Sequence, residues 1–237
     1  MIFSFSRLSL FEKCPFRFHC KYVLKMEEGT TKPLALGKAV HKAIESMISG
    51  SDLEEAILDG WIEAEMHSGV THDEISQLVK KAPIYAGIGE VETHFTLPLS
   101  GDPDAPLIQG YIDLIQGNNI IDWKTNWKPY AIEATKQLAL YAWAFMKLKG
   151  GSSVHGNLYY LRFPYITERR MYNRVINQIE ADQARQWALK LAIEVEERIA
   201  LSEAFPEERL SFFPSIPSTE CKHCPFAVEC YKQTRRV

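Results

Sequence analysis

The chain has no apolar run near the length that crosses a bilayer, so no membrane-spanning helix is expected. It has no surplus of positive charge either. With 27 Lys and Arg against 30 Asp and Glu the formal net charge is -3, so any contact with nucleic acid must use a local basic surface. The opening residues M-I-F-S-F-S-R-L-S-L-F-E-K lack a basic leader and interrupt their apolar residues with Ser, Arg and Glu. They do not read as a signal peptide, and a cytoplasmic location is expected. Cysteine is scarce, five in 237 residues, and in a reducing compartment such thiols are free, metal-bound or catalytic rather than paired. Repeats, low-complexity tracts and linkers are absent too, so 1–237 is expected to form a single domain.

What is present begins with helical periodicity. S-F-S-R-L-S-L-F-E-K reads as a helix capped by Ser4 or Ser6 and ended or restarted at Pro15. Leu36, Val40, Ile44, Met47 and Ile48 recur at helical spacing across 32–49, and 52–67 and 73–86 continue in that style. The texture then changes to short β-prone runs at 91–99, 107–116 and 119–125. Helix is expected again at 132–148, strands at 154–163 and 168–175, and a long charged helix at 177–202. This order predicts an α/β or α+β domain with a mixed sheet.

Within that order, I-I-D-W-K-T-N places Asp122 and Lys124 where a strand core should be. Gly117-Asn118 is a two-residue hairpin turn, and counting outward pairs Ile115 with Ile120, Leu114 with Ile121, and Asp113 with Asp122. Alternation puts Asp113, Asp122 and Lys124 on one face. Opposed carboxylates repel unless something neutralises them. A divalent cation between them, with Lys124 beside it, would do so, and oxygen ligands suit Mg²⁺ or Mn²⁺. Taken alone, D-x-K is more often an exposed strand face than a site.

Companions lie on the neighbouring elements. His41, in G-K-A-V-H-K-A-I-E, sits at the margin of an apolar helix face, with Gly37 one turn earlier leaving room for backbone or ligand. Gln137 and Tyr141, in Q-L-A-L-Y, project from one helix face at i and i+4. Glu92, in V-E-T-H-F, is a further acidic candidate, although Glu90 and His94 share its strand face.

The far end reads C-K-H-C-P-F-A-V-E-C, that is Cys221-x2-Cys224-x5-Cys230, a spacing that points to a metal or cluster. Three ligands leave one missing. Cys14, before Pro15, would close a Cys₄ set, His223 is an alternative, and Cys20 reads as a small buried hydrophobe. Sulfur ligands in that number fit zinc or an iron-sulfur cluster. Arg17, Lys21 and Lys25 at i, i+4 and i+8, with Lys222, Lys232, Arg235 and Arg236, make a basic patch that is either a phosphate-binding surface or a solvated helix face.

In this order G-x-x-x-H (Gly37 to His41), G-Y-I-D (Gly110 to Asp113), I-D-W-K (Ile121 to Lys124) and Q-L-A-L-Y (Gln137 to Tyr141) resemble the RecB-like branch of the PD-(D/E)XK nuclease superfamily. The opening S-x-S-R-L-S-L-F-E-K-C-P-F-R-F and the terminal cysteines look like its iron-sulfur members, among them CRISPR-associated RecB-like exonucleases and the AddB C-terminal nuclease domain. The resemblance implies an α/β, restriction-endonuclease-like core with a central mixed sheet flanked by helices, a helical insertion at about 51–88, and a terminal iron-sulfur region. It implies that His41, Asp113, Asp122, the Trp123 carbonyl and also Glu92 hold Mg²⁺ or Mn²⁺. Lys124 would orient or activate water, and Gln137 and Tyr141 would position DNA. Cys14, Cys221, Cys224 and Cys230 would hold a 4Fe-4S cluster, with zinc as the lesser alternative. The implied activity is a DNA exonuclease acting on ends or single strands in repair, recombination or CRISPR adaptation, with a helicase or adaptation proteins as partners and no membrane. An endonuclease or processing nuclease in a complex, or a noncatalytic DNA-binding module, is the alternative.

Overall fold

The computed structural model describes residues 1–163 and 171–234, and these fall into two compact units. The first is built from Met1–Gly29, Thr96–Gln109 and the described residues from Arg185 onward. It opens with a two-residue strand, β1 (Ile2–Phe3), and helix α1 (Phe5–Lys13), whose first turn is capped by Ser4 Oγ accepting from Arg7 N–H at 3.3 Å. Pro15 then starts α2 (Pro15–Phe18) instead of only ending α1, because its missing N–H is no loss at a helix start. A π-helical turn at His19–Val23 follows. Lys25 lies beyond it with φ of 54°, so the expected i, i+4, i+8 row of cations stops being helical after Lys21.

The second unit holds most of the sheet and its flanking helices. Three helices lead in: α3 (Lys32–Ser49), α4 (Leu53–Glu63) and α5 (His72–Val79). Helix α3 matches the expected span, with Pro33 in its first turn and Gly50 ending it in the left-handed region at φ 111°. The other two are shorter than periodicity predicts. Positive φ at Glu65 and Met66 turns the chain away after α4, and 80–89 carry no helix.

The strands are β2 (Glu90–Pro98), β3 (Leu107–Gln116), β4 (Asn119–Lys124), β5 (Ser153–Tyr160) and β6 (Met171–Asn177). β2 pairs with β3, β3 with β4 antiparallel, β4 with β5 parallel and β5 with β6 antiparallel, a mixed sheet. The parallel step needs a crossover, and α6 (Gln137–Lys149) supplies it. Its expected start at 132 is occupied instead by a 3₁₀ turn, Ile132–Ala134, and Thr135 is extended. The first part of the strand expected at 168–175 lies outside the described residues. The long helix α7 (Gln178–Ala204) starts in this unit and continues into the first. In the first unit β1, which periodicity misses, pairs in parallel with Leu107 and Ile108.

Leu114, Trp123, Tyr159 and Leu161 pack with the apolar faces of α3, α4 and α5 in one buried cluster. On the opposite face α6, buried nearly all round, approaches β5 so closely that a Cβ at Gly156 would meet Leu138 Cδ2 at 2.9 Å. The hydrophobic effect therefore fixes the sheet from both sides, and β4 runs between the two helical layers. Among the described residues no helix is long and apolar enough to cross a membrane.

Candidate active site

The second unit contains all the acidic, histidine, lysine, glutamine and tyrosine candidates. The hairpin register is as counted from Gly117-Asn118, pairing Gln116 with Asn119, Ile115 with Ile120 and Leu114 with Ile121. One step further, the Asp113 carboxylate accepts from the Trp123 backbone N–H at 2.8 Å. Helix α3 brings His41 to the same place. Its Nδ1 is 3.4 Å from Asp113 Oδ2, and Nε2 donates to the Trp123 carbonyl at 2.9 Å.

Glu92 completes the group. Single ligand atoms of His41, Glu92 and Asp113 all lie within 4.8 Å of one another, on the wall of a cleft of about 700 Å³ that Lys38, Lys42 and Tyr111 also line. The neighbours that alternation cannot separate from Glu92 are used elsewhere. Glu90 pairs with Lys149 at 2.7 Å, and the His94 ring lies tilted against Tyr111 with centroids 4.7 Å apart. Glu92 itself has φ of 45°, the left-handed region that side chains avoid. That kink within β2 breaks the pleat at the residue whose carboxylate meets the cleft, a local strain of the kind kept at functional positions.

Behind this group, Asp122 and Lys124 are buried together, with Oδ2 and Nζ 2.5 Å apart. Asp122 Oδ2 is fully buried, and the Lys124 ammonium is its close partner. Lys124 Nζ also donates to Gln137 Oε1 at 3.1 Å. Gln137 and the Tyr141 hydroxyl are hydrogen-bonded in turn, so β4 and α6 are tied by a polar row. Tyr130, which no periodicity or motif singles out because it sits in the loop after β4, hydrogen-bonds Lys124 as well. Gly110 is what lets Tyr141 stand there. A Cβ at that position would lie 2.7 Å from Phe95 Cζ and 3.1 Å from Tyr141 Cε1. Gly37 has no such need, since a Cβ there meets only Thr125 Oγ1 at 3.7 Å.

The electrostatics describe a site rich in acid. Burial pulls the His41 imidazole down, but Asp113, Asp122 and Glu92 outweigh it and push it up to about 9. Burial, then the Asp113 charge, raises Glu92 to about 7. Burial also raises Asp122 against the attraction of Lys124. For Asp113 burial is overcome by His41, Lys124 and the Trp123 N–H, and its carboxylate is held below the usual range. Lys124 stays protonated, since Asp122 outweighs the cost of burying its ammonium.

The cysteines belong to the first unit. Cys14, Cys224 and Cys230 pack around Phe16, Cys20 and Phe226, and Cys14, Cys221 and Cys224 line a cavity of about 190 Å³. All five thiols are free, and among the described residues no three approach within the distance that joins His41, Glu92 and Asp113. Cys20 is buried, and burial pushes its thiol up to about 12. Arg17 and Lys21 both pair with Glu28, whose single carboxylate offsets one of their two charges. Lys25, Lys222 and Lys232 are exposed, and Arg235 and Arg236 lie outside the described residues.

A family model for the PD-(D/E)XK nuclease superfamily matches residues 2–231. The chain belongs to that superfamily. The mixed sheet flanked by helices is the fold such nucleases have, and membership implies a metal-dependent nuclease with DNA as substrate. No curated protein matches the chain significantly. A solved structure described as "Crystal structure of SSO0001" is similar over 97% of this chain and 85% of that one, at 20% identity and a TM-score of 0.44. The donors present fit a divalent ion. An imidazole and carboxylate oxygens converge on a cleft, and burial and the neighbouring Asp113 charge raise Glu92.

Proposed function

We propose that this PD-(D/E)XK nuclease is of the RecB-like, iron-sulfur type, an exonuclease that hydrolyses phosphodiester bonds at DNA ends or in single strands. The observation that carries the reading is the convergence of His41, Glu92 and Asp113 on one cleft in front of the buried Asp122, Lys124 and Gln137 row. His41, Asp113, Asp122, the Trp123 carbonyl and Glu92 would hold Mg²⁺ or Mn²⁺. When bound, the ion supplies Lewis acidity, which acidifies water and offsets the charge growing on the phosphate.

The chain's own residues supply position and fixed charge. His41 gives up a proton to become a ligand, and the Asp113 carboxylate orients it through Nδ1. Lys124, kept protonated by Asp122, acts as a donor that orients the attacking water and faces the phosphate charge; it is not a proton acceptor in this state. Gln137 fixes the direction of its ammonium. Lys38 and Lys42 line the cleft but pair with Glu65 at 3.8 Å and Glu45 at 2.9 Å, so in this acidic cleft the bound ion would supply most of the positive charge that meets phosphate. In the first unit, the grouping of Cys14, Cys221, Cys224 and Cys230 about one cavity and one apolar cluster supports a 4Fe-4S centre that holds the terminal segment in place.

The test is an anaerobic preparation given end-labelled linear and circular DNA with and without Mg²⁺ or Mn²⁺. Linear DNA is expected to shorten only with metal, and circular DNA to persist. Asp122→Ala and Lys124→Ala are expected to lose on the order of 100-fold or more in rate. Undiminished cleavage by both variants would overturn the assignment, and cutting of circles would make the enzyme an endonuclease. The protein should be brown as isolated, and Cys221→Ser should be colourless; a colourless wild type replaces the cluster with zinc or no metal.

A further inference from the structure

Trp127 is the most exposed large apolar side chain among the described residues, at 75%. It lies three residues beyond Lys124, in the loop that leaves β4. Backbone reach keeps it at most about 11 Å from that lysine. The loop is not loose at its far end, where the Tyr160 hydroxyl donates to the Tyr130 carbonyl at 2.8 Å and accepts from the Tyr130 N–H at 3.0 Å.

Among the described residues the ring's recorded partner is Arg162. The Arg162 guanidinium lies 4.0 Å from its centroid, and Arg162 Nε donates to the Thr125 carbonyl at 2.6 Å. Thr125 directly follows Lys124, so the cation is fastened to the same stretch that carries the catalytic lysine. An arginine covering one face of a tryptophan leaves the other face to account for the exposure. Gln77 of α5 and Lys81, just past its end, line the same groove and offer an amide and a cation, while its acid, Glu74, pairs with Lys32 at 2.7 Å.

We propose that Trp127, backed by Arg162, is a stacking platform for an unpaired nucleobase one or two nucleotides from the scissile phosphate. The proposal rests on the nuclease reading and narrows its substrate to DNA that is single-stranded at the site. A base in a closed duplex already has both faces stacked, so only an unpaired or end base can lie on the ring. Stacking is tolerant of sequence, because every base has a π-face, and Arg162 adds a cation beneath the ring.

Binding is measured without metal, by fluorescence anisotropy of labelled single-stranded oligo(dT) and of a relaxed, covalently closed circular duplex, which has neither ends nor unpaired loops. Trp127→Ala should weaken single-strand binding roughly 5- to 150-fold, and Trp127→Phe should restore most of it. The closed duplex should bind both proteins alike. An abasic site walked along the oligonucleotide should weaken the wild type at one position and leave Trp127→Ala indifferent there. Equal single-strand affinity of Trp127→Ala and wild type, or an equal loss on the closed duplex, overturns the platform. Circular dichroism melts of the variants exclude misfolding as the cause. Because binding is read without turnover, a chain that binds through Trp127 but cleaves nothing sinks the nuclease reading alone, and one that cleaves without needing Trp127 for binding sinks the platform alone.

Discussion

Gly110 shows how much can hang on one missing methyl group. The aromatic rings of Phe95 and Tyr141 meet edge to face with centroids 5.6 Å apart, and a Cβ on Gly110 would push into both. Gly110→Ala is expected to cost about 1–3 kcal/mol of stability by overpacking and to lower the cleavage rate by displacing Tyr141. Urea unfolding and initial rates check the two effects, and an unchanged rate would show that Tyr141 has no part in the reaction. The acidic residues of the proposed site were singled out by types and spacing: one hairpin count brings up Asp113, Asp122 and Lys124, and the ladder follows that count as far as Leu114 and Ile121. Glu92 was not separable from Glu90 and His94, because alternation treats all three alike and the positive φ that distinguishes Glu92 is imposed by the folded sheet. Tyr130 left no trace at all, since its approach to Lys124 is made by a loop held through Tyr160.

Elements were legible to the degree that they carry their own stop signals. Helix α3 has Pro33 and Gly50, and the β3–β4 turn has Gly117 at φ 56°, so their bounds follow from sequence. Helix α6 lacks such a mark at its start, and the apolar residues 132–134 extend its pattern into what is a 3₁₀ turn. The consequence is chemical, because Gln137 becomes the first residue of the helix and not a mid-helix position. The helical layer over the sheet depends on a contact that no periodicity shows. A Cβ at Gly60 would lie 2.2 Å from the Ala39 carbonyl oxygen, so α4 rides directly on the backbone of α3. Gly60→Ala should force the two apart and destabilise by about 1–3 kcal/mol or more, seen as a lower Tm. An unchanged Tm would mean that α4 can slide without cost.

Across the molecule, stability should depend on acid through His19. Its side chain is fully buried against Phe213, ring centroids 4.5 Å apart, and neither nitrogen has a hydrogen-bond partner. Burial, then the nearby Arg209 charge, pulls its pKa down from 6.5 to about 4. The unfolded chain therefore binds this proton more readily than the folded one. His19 costs nothing above pH 6.5, and its penalty grows as pH falls toward 4, reaching on the order of 3 kcal/mol. Unfolding at pH 7 and pH 5 should show the loss in the wild type and a flatter profile in His19→Phe; parallel profiles would place the acid sensitivity elsewhere.

The first compact unit is stitched from early, middle and late stretches, whereas the second ends at Ala184. On a ribosome that adds about 5–20 residues each second, the side chains of the proposed site, from His41 to Tyr141, are thus all translated before Cys221, Cys224 and Cys230 exist. Cys14 must wait through nearly the whole of synthesis for the thiols it is grouped with. On the proposed reading, the nascent chain during that interval would carry every proposed cleavage residue but not yet the cysteines of the proposed cluster, so cluster assembly would be the last step of its maturation.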